Sequence, residues 1–237
     1  MNFLGQLIRA RELPVFAALA IVMGLTSVAV PHFFSAKVAV DLFLGVSVIA
    51  LLAIAQTFVI VMRHIDLSVG STVGFAAFLI GDSYSKGFGL VVSMLLAIGL
   101  GVTVGAVNGF LVAYLKLPSL VVTLASLYIV RGIFNEFASG ETIIESEVPP
   151  VVNWLGLNRL FGVPYLFIIG LVVLLIAGLV MKRVKAARDL YAIGSNPAAA
   201  ELAGIPVARR VLFAFMSTGA LTGLAGALLL GRFNSAN

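Results

Sequence analysis

Residues 89–115 read Gly-Leu-Val-Val-Ser-Met-Leu-Leu-Ala-Ile-Gly-Leu-Gly-Val-Thr-Val-Gly-Ala-Val-Asn-Gly-Phe-Leu-Val-Ala-Tyr-Leu, without a charge, and stop at Lys116-Leu117-Pro118. At 1.5 Å per residue a helix over this stretch is about 40 Å long, more than the roughly 30 Å hydrocarbon core of a bilayer. The reading spreads outward from there. Apolar runs at 14–30, 40–62, 71–80, 119–137, 163–181 and 211–230 give about seven spans. The run at 71–80 is the short one and ends in Gly81-Asp82-Ser83-Tyr84-Ser85-Lys86-Gly87, so it either crosses or re-enters. The first run follows Arg9 and Arg11; it reads as a retained helix, with a cleaved signal peptide as the alternative.

Composition agrees. The chain has 237 residues, 61% hydrophobic and 11% charged, with a mean hydropathy of +1.16. Soluble domains carry about 25% charged residues, so an ordinary globular enzyme, a disordered chain and a nucleic-acid binder are excluded. The absence of cysteine removes disulfides, thiolate catalysis and Cys-based metal sites. No catalytic or metal-ligating set stands out, and no cofactor is called for. The fold class is all-α, a polytopic transmembrane helix bundle in a single domain over 1–237.

Lys and Arg placement sets the orientation. The segment 182–210 carries Lys182, Arg183, Lys185, Arg188, Arg209 and Arg210 against Asp189 and Glu201, and reads as a cytoplasmic loop. The polar stretch 139–162 carries Glu141, Glu145 and Glu147 against Arg159, and reads as outside. Counting crossings back puts the N-terminus in the cytoplasm.

Glycines recur four apart at Gly101, Gly105 and Gly109, at Gly70 and Gly74, and at Gly219 and Gly223. Such strips let helix backbones approach in lipid, where apolar burial drives little association; a glycine-lined path is the alternative. Two breaks interrupt the apolar runs. In His64-Ile65-Asp66-Leu67-Ser68-Val69-Gly70-Ser71, Asp66 or Ser68 can cap the following helix; in Lys116-Leu117-Pro118-Ser119, Ser119 can do so. Both are either interfacial turns or discontinuities aimed at a substrate or gate. Polar residues within spans are few: Gln56, Thr57, Asn108, Thr123, Ser126, Arg131, Asn135 and Glu136. They should face the bundle interior or water. Arg131 either snorkels to the outer interface or, with Asn135 on the same face, lines a wetted path.

In 195–206, Asn196 is a good N-cap, Pro197 fits the first helical position, Ala198, Ala199, Ala200, Glu201 and Leu202 favour helix, and Gly204 and Pro206 end it. A helix this short is marginal alone in water. It either docks into a partner or packs on its own chain.

Three stretches carry a resemblance. Ile65-Asp66-Leu67-Ser68-Val69-Gly70-Ser71 looks like the GGIDLSVGS segment of the membrane permease subunits of bacterial ABC importers for monosaccharides (the ribose, xylose, rhamnose and autoinducer-2 type), with Arg63-His64 in place of the usual Gly-Gly. Leu117 to Leu124 with Arg131-Gly132 resembles their LPPFIVTL…RG segment, and Tyr191 to Ile205 their YAIGGNxEAARLAGI loop. The likeness covers nearly the whole chain. It implies a permease that moves a monosaccharide or similar small polyol across the bacterial inner (plasma) membrane and hydrolyses no ATP. The implied partners are cytoplasmic ATPase subunits, a second permease copy or paralogue, a periplasmic sugar-binding protein and the lipid bilayer, with no nucleic acid. It implies that 182–210 is the coupling loop, docking through Asn196, Ala199, Ala200, Glu201 and Gly204. It favours a gate at the break with Asp66 and Ser68; with the polar residues of the spans, the translocation path or gate is expected at Gln56, Asp66, Ser68, Ser71, Asn108, Thr123 and Arg131. Family members have about ten spans, so the chain is expected to be C-terminally truncated. A secondary transporter or channel for a small polar solute is the rival; few intramembrane acids favour it.

Overall fold

The structure, a computed structural model, describes residues 13–30 and 33–236. It is all-α apart from one two-residue hairpin. In chain order the helices are α1 (Leu13–Ala29), α2 (Ala36–Ile60), α3 (Val69–Ser85), α4 (Leu90–Ala113), α5 (Ser119–Ala138), α6 (Pro150–Leu157), α7 (Tyr165–Arg183), α8 (Lys185–Ser195), α9 (Pro197–Leu202) and α10 (Val207–Phe233). A 3₁₀ turn, Glu145–Glu147, precedes α6, and strands β1 (Arg159–Leu160) and β2 (Val163–Pro164) pair antiparallel before α7. Among the described residues five helices are long and apolar enough to cross a membrane: α2, α4, α5, α7 and α10. Arg9 and Arg11 lie outside the described residues.

Packing divides the chain at Leu42, and the unit Phe43–Asn237 holds the bundle. One end of it carries the two sequence breaks. There Gly194 of α8 lies against the Val61 carbonyl, and the Ile65 N–H donates to the Ser119 hydroxyl at 3.2 Å. The far end is built from 139–164 and the tail: Ile143 pairs with Ala236, Gly81 abuts Ile143, and Gly156 meets the Gly231 carbonyl.

Helix α3 begins level with Leu127 of α5, eight residues or about 12 Å beyond Ser119, and its last turns lie beside Ile143 at the far end. It is also five residues longer than the apolar pattern at its polar end. The reason is local satisfaction. Asp82 pairs with Lys86 one turn on, at 2.7 Å, and the Ser83 and Ser85 hydroxyls donate to helix carbonyls. Polar groups satisfied inside their own helix do not end it.

The core is α3, α4 and α10. Packing of α4 on α10 rests on glycine. A Cβ on Gly101 would overlap the Gly219 carbonyl oxygen, one on Gly219 the Gly101 oxygen, one on Gly105 the Phe215 oxygen, and one on Gly223 the Ala97 oxygen. The two four-residue strips thus face each other, as close backbone packing requires. Gly70 and Gly74 do not join them: a Cβ on Gly70 would meet nothing within 4 Å, and one on Gly74 would only touch Phe134 at 3.9 Å.

Two segments read as loops are structured. The stretch 139–162 contains the 3₁₀ turn and α6, and it buries Ile143, Val148 and Val152 against the bundle. The basic segment 182–210 is nearly all helix: α7 runs to Arg183, α8 and α9 follow, and Arg209 and Arg210 sit in the first turn of α10. Helix α8 is amphipathic, burying Ala187, Leu190 and Ile193 while Lys185, Arg188 and Tyr191 stay exposed. Arg210 donates through Nε and Nη2 to Asp189, at 2.9 and 2.8 Å, and so pins α8 to α10.

Candidate functional site

The break between α2 and α3 is held in a strained turn. Arg63 has φ +64, and the His64 N–H closes the end of α2 by donating to the Val59 carbonyl at 3.0 Å. A left-handed residue here is the usual way to end a helix, but glycine is the usual occupant. The second break repeats the device: Lys116 has φ +55. Both basic residues border one groove, with His64, Pro118 and Ser119 between them.

Behind this groove the polar residues of three helices and the turn 61–68 meet. Asp66 Oδ1 accepts the Ser68 N–H at 2.9 Å and the Ser68 hydroxyl at 2.6 Å. Ser68 Oγ in turn accepts Asn108 Nδ2 at 2.9 Å, and Asn108 Oδ1 accepts the Ser126 hydroxyl. Thr123 donates to the Ile65 carbonyl at 3.2 Å, and Gln56 Nε2 donates to the Asp66 carbonyl. Asp66, Ser68, Asn108 and Thr123 are all buried. The network ties α2, the turn 61–68, α4 and α5 into one knot.

Five of the sequence-derived path residues are therefore neighbours: Gln56, Asp66, Ser68, Asn108 and Thr123. The capping expectation is corrected in detail. Asp66 does open α3, through an Asx turn, but Ser68 makes no cap and turns its hydroxyl to Asp66. Ser119 caps nothing either; its oxygen serves Ile65 across the break, and Pro118 occupies the N-cap position. Ser119, read from the sequence as a cap, and Ser126, read as a polar residue within a span, join the site although neither was placed in the path set. Their spacing with Thr123, at i, i+4 and i+7, was the available signal, since such residues share one helix face. Burial pushes the Asp66 carboxyl above its usual range, against the two Ser68 hydrogen bonds that hold it down. Burial likewise lowers His64, whose ring lies 6.0 Å from Phe215 rather than free in solvent.

Ser71 and Arg131 sit apart from the knot. Ser71 donates to the Leu127 carbonyl at 2.8 Å. It lines an open groove of about 360 Å³ with Gly70 and Gly74 of α3 and Arg131, Phe134 and Asn135 of α5. Arg131 lies 12 residues, about 18 Å, beyond Ser119 along α5. The groove thus occupies the far half of the bundle, walled by glycine, hydroxyl, amide and guanidinium.

At the break end, α9 has the predicted caps. Asn196 Oδ1 accepts the Ala199 N–H at 3.1 Å. Gly204, at φ +79, donates to Glu201, while Ile205 donates to Ala200 at 3.0 Å. Of the five residues assigned to docking, Asn196, Ala199, Glu201 and Gly204 are exposed, whereas Ala200 is buried among the residues packed around Ile193 and Val211. Ala200 anchors the helix from beneath. Leu202, absent from the sequence-derived set, is 92% exposed on the outer side. Which face of a six-residue helix turns inward depends on packing, so sequence periodicity could not distinguish Ala200 from Leu202.

Comparisons with known proteins identify the family. The autoinducer 2 import system permease protein of Enterobacter sp. (strain 638) is 35% identical over 220 residues, covering 93% of this chain and 64% of that protein. Its counterpart in Klebsiella pneumoniae is 34% identical, with 93% and 63% covered. The ribose import permease protein of Haemophilus influenzae is 30% identical over 223 residues, with 93% and 69% covered. The chain spans about two thirds of the length of these relatives. No solved structure matches it. The family described as the permease component of branched-chain amino acid transport systems matches residues 38–237. The chain belongs to that permease family.

Proposed function

We propose that this chain is the membrane permease subunit of an ATP-driven importer in the bacterial inner membrane, moving a monosaccharide or similar small polyol. The observation that carries the reading is α9. A double-capped helix, fixed to the bundle through Ala200 and extended from the Asp189–Arg210 clamp, presents a bare leucine to solvent. A leucine this exposed, on a helix fixed at both ends beside the basic cluster, offers apolar surface to a partner chain rather than to this one. The occupant would be an ATPase subunit, which supplies the energy this chain has no nucleotide motif to capture.

Charge supports the orientation. The break end gathers Arg63, Lys116, Lys182, Arg183, Lys185, Arg188, Arg209 and Arg210. The far end carries Glu136, Glu141, Glu145 and Glu147. By the basic-residue rule the break end is cytoplasmic. With α3 crossing as a sixth helix of the bundle and α1 before it, the chain makes seven spans from a cytoplasmic N-terminus. The open groove at Gly70, Ser71, Gly74, Arg131 and Asn135 then faces outward as the sugar path, and the knot at Asp66, Ser68 and Asn108 closes its inner side. Motion of α9 driven by the ATPase would reach the knot through Gly194 on Val61 and through Arg63, which donates to the Ser195 carbonyl at 3.4 Å. A second permease copy or paralogue and a sugar-binding protein complete the assembly. The autoinducer and ribose permeases among the relatives make a five- or six-carbon polyhydroxylated solute the class to test first.

Leu202→Glu tests the reading. Sugar uptake and co-purification of ATPase subunits are expected to fall to background while the chain stays in the membrane. Undiminished uptake would overturn the importer assignment and favour a secondary transporter or channel.

A further inference from the structure

Between α2 and α7 lies a cavity of about 540 Å³ that shares no lining residue with the polar groove. Ile54 and Phe58 wall it from α2, and Leu174 from α7. Gly178 forms part of its floor, and an added Cβ there would meet nothing within 4 Å. Thr57 also lines it, but its hydroxyl is committed to the Ala53 carbonyl at 2.9 Å. The walls therefore offer an apolar slot that follows α7 for the eight residues from Leu174 to Lys182, about 12 Å.

Polar groups enter at one end only. Lys182 stands on the last turn of α7, and Arg188 and Tyr191 on the exposed face of α8. Among the described residues neither cation has a carboxylate within ion-pair distance; Asp189, the nearest acid in sequence, is taken by Arg210. The α8 helix cannot swing these groups away, because Ala187, Leu190 and Ile193 bury its other face.

We propose that this cavity is a binding site for one anionic phospholipid. An acyl chain lies in the slot between α2 and α7, and the phosphate meets Lys182, Arg188 and the Tyr191 hydroxyl. The apolar slot argues for a lipid over a free anion, which would gain nothing from it. The pair of unpaired cations argues for a net negative headgroup, because a zwitterionic lipid would bring its own ammonium beside them. The site rests on the membrane reading given above but not on transport.

The test is lipid binding to the whole chain in mild detergent, followed by native mass spectrometry, with phosphatidylglycerol and phosphatidylethanolamine titrated separately. Phosphatidylglycerol is expected to bind about tenfold more tightly, as two basic groups near a membrane surface allow. Lys182→Gln with Arg188→Gln should bring it down to the phosphatidylethanolamine level. Gly178→Leu, which fills the slot without a clash, should weaken both lipids. Lys185→Gln with Arg209→Gln, outside the cavity, should change neither. Unchanged phosphatidylglycerol binding in either of the first two variants would overturn the site, as would displacement by millimolar inorganic phosphate. Undiminished uptake in Leu202→Glu, with lipid binding intact, would sink the importer reading alone, so the two failures are separable.

Discussion

Helices α7 and α10 are both long enough to cross a bilayer, yet they are built for opposite neighbours. In α10, 61% of the most apolar stretch is buried against other helices; in α7 only 17% is. The buried helix is the more polar of the two. It carries Thr218, Thr222, Gly219, Gly223 and Gly226, all inward, while α7 is an almost unbroken run of Leu, Ile and Val. The difference teaches where apolarity is needed. A face toward lipid must be apolar because nothing there can accept a hydrogen bond. A face toward protein needs close approach and internal satisfaction instead. Thr218 shows both: its hydroxyl donates to Ala55 across the interface at 2.9 Å and to Ala214 in its own helix at 3.0 Å.

The largest effect should come from glycine on the buried side. Gly101→Leu would drive a side chain into the Gly219 backbone, which has no rotamer to yield. We expect a loss of at least about 3 kcal/mol, the upper range of overpacking, read as the absence of a monodisperse peak on gel filtration. Gly99→Leu is the matched control two residues away on α4. Nothing lies within 4 Å of its added Cβ, and the helix should keep its wild-type melting temperature. Equal damage from both would break the distinction between protein-facing and lipid-facing glycine.

Next is the polar knot. Asn108→Leu keeps similar volume but leaves the Ser126 hydroxyl without its partner and removes the donor to Ser68 Oγ, which keeps its bond to Asp66, in a site where Asn108 is fully buried. Unsatisfied buried groups cost about 1–3 kcal/mol each, so a loss of about 2 kcal/mol is expected by thermal melting. An unchanged melting point would mean that the knot is wetter than its burial indicates. Arg210→Ala should cost slightly less. It strands Asp189, but Arg210 is a quarter exposed and water can replace part of what it gave, leaving about 1–2 kcal/mol.

How much of this was legible depends on which neighbour a residue has. Long apolar runs announce themselves by hydropathy, so α2, α4, α5 and α7 fell within a few residues of the expected ranges. The Gly101-Gly105-Gly109 strip was readable because four-residue spacing is a local property. The length of α3 was not, because Asp82 is neutralised by Lys86 only once the helix exists. Nor was the divergence of Gly70 and Gly74 from the other strips, which share their spacing but face an open groove. The burial of Ala200 and the exposure of Leu202 escaped for the same reason: burial on a helix of six residues is decided by how it packs on the bundle, not by its own pattern.

Arg63 sharpens this point. Where the resembling segment of sugar permeases has glycine, this chain holds an arginine at φ +64. A non-glycine residue in that region costs about 1–2 kcal/mol, and glycine's greater freedom in the unfolded chain returns part of it. Arg63→Gly should therefore stabilise the protein by about 0.5–1 kcal/mol in a thermal melt. It would also remove the 3.4 Å bond to Ser195 that links the break to α8. If that link carries motion from α9 to the knot, the more stable variant should transport more slowly, and a variant that gains both stability and rate would show the strain serves no coupling.

The smallest effect on stability belongs to Leu202. At 92% exposed it contributes almost nothing to the bundle, and Leu202→Glu should melt within about 0.5 kcal/mol of the parent, as surface changes do. That flat result gives the uptake assay its meaning. A buried apolar residue lost from α10 would abolish uptake by unfolding the protein. Leu202 can abolish it only by failing to meet something outside the chain. A fall in melting temperature comparable to that of Asn108→Leu would mean instead that α9 turns Leu202 onto its own bundle, and the case for a docked partner at this helix would lose its anchor.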